Sequence, residues 1–293
     1  MINGDNPKNF LERLLYFFQC INNGFKGKSN ENIIHRLELK NYKDKINKGT
    51  PSRRLSDMLW CSINWDNLSE QFGKKVNILD LGCGNGLYGY FFRDLLKDKF
   101  GSYSGLDVYR DNDFPSEFLH IQDTAENAHK YVEGINCVVS QSALEHIEAD
   151  LLTLQNMTER LSYGDSKKFA QIHLVPASAS LFLYLWHGWR QYSKKNLGFI
   201  ADLLTSQSKI KIRLIPLGGI KCFCVHLFKI TFPGIVNRLF GLKKIKDWDA
   251  EGTKTSLKIK ECVTKEKYAN DFLPSFWAVI VTSNDINIDF FLD

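Results

Sequence analysis

Residues 77–89 read NILDLGCGNGLYG, and Asp80 heads a run that sets Gly82, Gly84 and Gly86 at alternate positions. Glycines placed between an apolar strand-like run and a helical one let a ligand approach bare N–H groups at a helix N-terminus. A dinucleotide-binding loop would carry its third glycine at position 87, where this chain has Leu87. Farther along, His146 in QSALEHI, His173 in IHLVP and His187 in LWHGWRQ offer the side chain whose proton exchange falls near neutral pH.

The elements that must position these residues follow from hydrophobic period. From about residue 76, strand-like runs (VNILDL, SYSGLDV, EFLHIQ, INCVVS, FAQIHLV) alternate with helical patterns such as GLYGYFFRDLLKD and DLLTLQNMTERL. Such alternation predicts right-handed βαβ units. Two later runs, KIKIRLIPL at 209–217 and FWAVIVT at 276–282, complete a doubly wound, mostly parallel seven-stranded α/β sheet. The stretch between them, about 220–275, is too long for a plain connection and is expected to carry an insertion. FLERLLYFFQCI and RRLSDMLWCSINW have helical spacing, so 1–70 is expected to form a helical cap ahead of a main domain over 71–293.

With Asp80 at its head, the D-x-G-x-G-x-G spacing in this strand-to-helix context resembles motif I of the class I S-adenosylmethionine-dependent methyltransferases. The resemblance covers roughly 76–217 and implies a Rossmann-like fold, S-adenosyl-L-methionine as cofactor and methyl transfer as activity. It implies that Gly82, Gly84, Asn85 and Gly86 form the cofactor loop and that Asp80 serves the cofactor's amine. By the same resemblance Asp107, with Val108, accepts from the ribose hydroxyls. Asp123, Thr124 and Ala125 line the adenine pocket, and Gln141 and Ser142 flank the methionine moiety.

The sulfonium already activates the methyl group, so the protein must align an acceptor, exclude water and, for a hydroxyl, take a proton. His146 follows the fourth strand, a position from which related enzymes present a base; the same residue would also serve as a helix cap. Glu145 and His146 resemble part of a Glu-x-x-Glu-His element that binds magnesium in some family members, but Ser142 replaces its first carboxylate, so no metal is expected. The segment IHLVPASASLFLYLWHGWRQYS at 172–193 predicts a helix from Ser178 carrying Tyr184, His187 and Gln191 on one face, with Arg190 alongside. His173, His187 and Arg190, interleaved with Trp186 and Trp189, suit a sugar-like acceptor, whose faces stack on aromatics while its hydroxyls meet polar tips. An apolar helix packed on the sheet is the plainer use of that segment.

A formal charge of +5 with no base-reading motif argues against nucleic acid as partner. Seven cysteines without a C-x-x-C pair indicate neither zinc nor a disulfide framework, and a reducing cytoplasm is expected. No signal peptide and no uninterrupted apolar run of spanning length is read from the chain. The largely apolar 220–246 stretch, dotted with Lys221, Lys229 and Arg238 and ending in Lys243, Lys244 and Lys246, suits a lid, a homodimer surface or peripheral contact with the inner membrane face. Ser52, Arg53 and Arg54 are placed to close over the cofactor. The acceptor expected is a hydroxyl of a small molecule or glycan, such as a surface polysaccharide precursor. Methylation of an amine, lipid or quinone, or cofactor binding without turnover, stands as the alternative.

Overall fold

In the computed structural model, described over residues 2–7, 9–40, 48–163, 168–207, 209–242, 248, 250, 252–267 and 272–292, each of the seven predicted runs forms a strand. They are β1 (Val76–Leu81), β2 (Phe100–Asp107), β3 (Leu119–Gln122), β4 (Cys137–Gln141), β5 (Ala170–Pro176), β6 (Ile210–Leu217) and β7 (Phe276–Ser283). The sheet order is β3-β2-β1-β4-β5-β7-β6. The first five strands pair in parallel, whereas β7 runs antiparallel to both β5 and β6. Every residue of β5 and β7 is buried, so β7 reads as a nearly continuous apolar run, while β5 buries Gln171 and His173 among its apolar residues.

Helices cover both faces. On one side α2 (Pro51–Ser62) and α3 (Trp65–Phe72) bring Leu55, Trp60 and Leu68 against Ile78, Ile172 and Phe92, the last from α4 (Leu87–Leu96). On the other, α5 (Asp150–Tyr163) and α7 (Lys194–Gln207) pack Leu154, Met157 and Leu204 on Leu79, Val138 and Val281. Helices α2 and α3 therefore share a core with the sheet, whereas the helix ahead of them buries Tyr16 and Cys20 in a separate cluster with Leu181. Their starts are set by side-chain caps: Asn9 accepts from the Glu12 N–H at α1 (Phe10–Gly24), and Thr50 accepts from the Arg53 N–H ahead of Pro51.

Two expectations are corrected by geometry. The helix predicted from Ser178 is only α6 (Leu181–Tyr184), because Leu185 takes φ +61° and the chain turns through Gly188 at φ +65°. There the Trp189 N–H donates to the Glu145 carbonyl at 2.6 Å, and a Cβ on Gly188 would lie 2.4 Å from that carbonyl oxygen. His187 and Arg190 thus sit on a loop rather than on one helical face. The second correction concerns the insertion, where α8 (Ile220–His226), a π-helical turn (Leu227–Thr231) and α9 (Phe232–Leu239) run on as one 20-residue helix that includes an 18-residue window of mean hydropathy 1.2. By length and composition it could reach across a bilayer; Lys229 and Arg238 had broken the apolar run in the sequence. After it comes α10 (Lys254–Lys265), while Lys243, Lys244 and Lys246 lie outside the described residues.

Candidate active site

The turn after β1 takes its shape from three left-handed glycines, with φ +70° at Gly82, +54° at Gly84 and +70° at Gly86. Side chains are excluded at two of them: a Cβ on Gly82 would meet the Ala143 Cβ at 2.6 Å, and one on Gly86 would meet the Phe114 ring at 2.5 Å. Gly86 is the N-cap of α4 and leaves the first turn without a side-chain cap. The Gly82 N–H donates to the Leu106 carbonyl at 2.8 Å, which locks the turn to the end of β2.

Asp107 completes that lock. One carboxylate oxygen accepts from the Gly84 N–H at 2.9 Å and the other from the Tyr109 N–H at 3.3 Å. Asp123 is fixed more tightly, accepting from the Thr124 N–H at 2.7 Å, the Asn127 amide at 2.9 Å and the Tyr131 hydroxyl at 2.7 Å. Hydrogen bonds from Asn127, Tyr131 and Thr124 hold its carboxyl below the usual range. An open cavity of about 430 Å³ lies between these groups, lined by Gly82, Asp107, Val108, Asp123, Thr124, Ala125, Ser142 and His146, with Leu106, Glu126, Ala143 and Ile147.

Other residues predicted for the loop stand outside that lining. Gly84, Asn85 and Gly86 shape the turn behind it. Asp80 is buried, accepts from the Tyr103 hydroxyl at 2.6 Å, and has its carboxyl pushed up to about 7, chiefly by burial. Gln141 accepts from the Trp60 indole at 3.1 Å. Arg53 covers the Tyr88 ring at 4.4 Å beside the turn, Ser52 accepts from the Tyr184 hydroxyl at 2.9 Å, and Arg54 donates to Ser256 at 2.9 Å.

At the edge of the cavity the two candidate histidines that are not buried meet. The His146 and His187 rings stand 4.5 Å apart and nearly perpendicular, and both span the same pair of carboxylates. His146 Nδ1 is 2.7 Å from Asp5 and its Nε2 is 3.9 Å from Glu145; His187 Nδ1 is 3.6 Å from Asp5 and its Nε2 is 3.4 Å from Glu145. Asp5 is held by the Gly188 N–H at 3.0 Å, and Glu145, wholly buried, accepts from the Ser142 hydroxyl at 2.5 Å while its second oxygen has no partner. Burial pulls the His146 pKa down, but the Asp5 hydrogen bond and the charges of Glu145 and Asp5 outweigh it, and the net displacement is upward. The ligand atoms of Asp5, His146 and His187 lie within 4.8 Å of one another, a donor set a divalent cation could gather, although no metal is expected from sequence. The 2.7 Å contact of His146 with Asp5 is hydrogen-bond spacing, and a cation would have to part them.

Two of the four predicted catalytic residues lie elsewhere. His173 is wholly buried in β5, in contact with Ser140 at 2.9 Å and Gln171 at 3.3 Å, and burial lowers its pKa to about 3. Arg190 pairs with Asp150 and donates to the Glu148 carbonyl at 2.5 Å, on the wall of a separate cavity of about 370 Å³ shared with Tyr192 and Asn196. Asp5 carries no motif, and only its fold-dependent neighbours mark it.

No family model and no curated protein sequence matches the chain. Among solved structures, the plantazolicin methyltransferase BamL, in complex with a triazolic desmethylPZN analogue and SAH, superposes with a TM-score of 0.50 at 12% identity, over 79% of this chain and 87% of that one. The fold is that of a class I methyltransferase. A S-adenosylmethionine-dependent methyltransferase from Archaeoglobus fulgidus has a TM-score of 0.43 at 16% identity, over 83% of this chain and 98% of that one. In this methyltransferase fold the glycine turn, Asp107 and Asp123 all stand at the carboxyl edge of the parallel strands, where open α/β sheets take their ligands.

Proposed function

We propose that the chain is an S-adenosylmethionine-dependent methyltransferase acting on a hydroxyl of a small-molecule or glycan-type acceptor. One observation carries the cofactor reading: Asp107, fixed by the backbone of the glycine turn, shares a cavity with Asp123 and Gly82 at the switch side of the sheet. The cradle fits the cofactor's chemistry, since carboxylates accept from hydroxyls and an amine whereas they would repel a pyrophosphate. When bound, the cofactor supplies an electrophilic methyl group on a sulfonium.

The histidine cluster supports hydroxyl transfer. With its Nδ1–H given to Asp5, His146 keeps Nε2 free to take the acceptor proton as the oxygen attacks. Asp5 then steadies the imidazolium that forms. Tyr184, 5.5 Å from the His187 ring and packed also on His226 and Phe276, and Trp186, with the Arg13 guanidinium over its ring, form an aromatic wall beside the cluster. The ligand bound to BamL is a desmethylPZN analogue rather than a sugar, so an acceptor of that kind is the second reading.

Calorimetric titration with S-adenosylhomocysteine tests the cofactor assignment directly. Asp107→Ala is expected to weaken binding by tenfold or more, about 1.4 kcal/mol. Failure of the wild-type chain to bind would end the methyltransferase reading.

A further inference from the structure

Helix α1 faces outward with its apolar side. Phe10, Leu14, Phe18 and Ile21 form a stripe that Leu11 and Leu15 widen, with Phe10 79% and Phe18 61% exposed, whereas only Tyr16 and Cys20 of the helix are buried. Phe25, 70% exposed beyond the helix end, extends the stripe into a basic rim: Lys195 Nζ sits 5.9 Å over its ring, and Lys26 and Lys28 are exposed beside it. Folded proteins that stay monomeric in water rarely leave so continuous an apolar surface uncovered.

A second apolar surface adjoins the first. Phe17 of α1 packs on the half-exposed Phe182 at 6.3 Å, and the carbonyl of the next residue, Leu183, accepts from Thr231 at 2.6 Å. Thr231 belongs to the helix Ile220–Leu239, which turns Cys222 and His226 inward and leaves Phe228 and Phe232 exposed. Its first turns, α8, contact α2 and α10 and its π-helical turn contacts α6, while α9 has no buried residue, so the helix is anchored to the body at one end and open to its surroundings at the other. From 220 to 246 the sequence has six Lys and Arg residues and no Asp or Glu.

We propose that α1 and the outward face of Ile220–Leu239 dock the protein onto an anionic lipid bilayer. Exposed aromatic and leucine side chains enter the acyl boundary while Lys26, Lys28, Lys195, Lys229 and Arg238 meet anionic headgroups. A second copy is the poorer occupant, because a two-fold contact through this face would bring together two patches that each carry Lys26, Lys28, Lys195, Lys229 and Arg238. The geometry also gives the acceptor a route: Trp186 packs on Phe17 at 6.3 Å, and the next residue, His187, belongs to the histidine cluster. A lipid-borne hydroxyl acceptor would therefore enter from the bilayer side, a clause that rests on the methyl-transfer reading as docking itself does not.

Co-sedimentation of the full chain with vesicles of phosphatidylcholine alone, or mixed with phosphatidylglycerol, tests the surface. Wild type is expected to sediment with the anionic vesicles, to prefer them to neutral ones and to be released by high salt. Leu14→Glu combined with Phe18→Glu should bind at least tenfold more weakly, with S-adenosylhomocysteine affinity unchanged as the control for folding. The proposal is overturned if wild type ignores both vesicles, if the double variant binds as wild type does, or if wild type is a dimer in solution that the variant dissolves. Vesicle binding without S-adenosylhomocysteine binding would overturn the methyl-transfer reading and keep the docking.

Discussion

At the scale of residues, the proposed proton path rests on His146 and Asp5. Under the base reading only neutral His146 works, and its pKa is displaced upward, so activity should fall on the acid side with a midpoint above 6.5. Asp5→Asn removes the charge that favours the imidazolium, and its pH–rate profile should shift to lower pH while turnover drops about tenfold or more. His146→Ala should cost about a hundredfold in kcat with S-adenosylhomocysteine affinity retained. Removal of divalent ions by a chelator should leave turnover unchanged. A loss restored by added metal would reassign Asp5, His146 and His187 from proton transfer to cation binding.

At the scale of elements, the glycine turn was legible because its chemistry is local: thirteen consecutive residues carry the strand end, the bends and the helix start. The seven strands were legible for the same reason, each run having its own period and bounds. The segment after β5 was not, because what ends α6 is a close approach of Gly188 to the Glu145 carbonyl, more than forty residues away in sequence. Arg190 was misplaced as a consequence, and Asp5 was missed because its contact with His146 spans 141 positions. Sequence period likewise gave no sign that His173 faces Ser140 inside the sheet instead of the cavity. Gly82→Ala tests the turn as an element. A methyl group there meets Ala143 at 2.6 Å and φ is +70°, so a loss of about 1–3 kcal/mol of stability is expected in urea unfolding, together with weakened S-adenosylhomocysteine binding.

At the scale of the whole molecule, pH dependence of stability should carry the mark of Asp80. Its carboxyl rises from 3.8 to about 7 on folding, so the folded state favours the protonated form. The associated stability is complete below the unfolded value and is lost as pH climbs through the folded one. Asp80→Asn keeps an acceptor for the Tyr103 hydroxyl without the buried charge. Urea midpoints should show the variant gaining on wild type from pH 4 to pH 8, and parallel curves would contradict the burial argument.

The place of β7 between β5 and β6 also bears on how the chain acquires its structure. During synthesis β6 emerges well before its sole strand partner, since it pairs within the sheet with β7 alone. Until residues 276–283 arrive, β5 and β6 both present unpaired backbone edges, and the Ile34–Leu214 bridge is the only β contact in reach of β6 among the described residues. The apolar helix Ile220–Leu239 is made inside that interval. Under the docking proposal, a bilayer that receives it early would shelter the sticky part of a half-built chain from the aggregation hazard that the late-closing sheet creates.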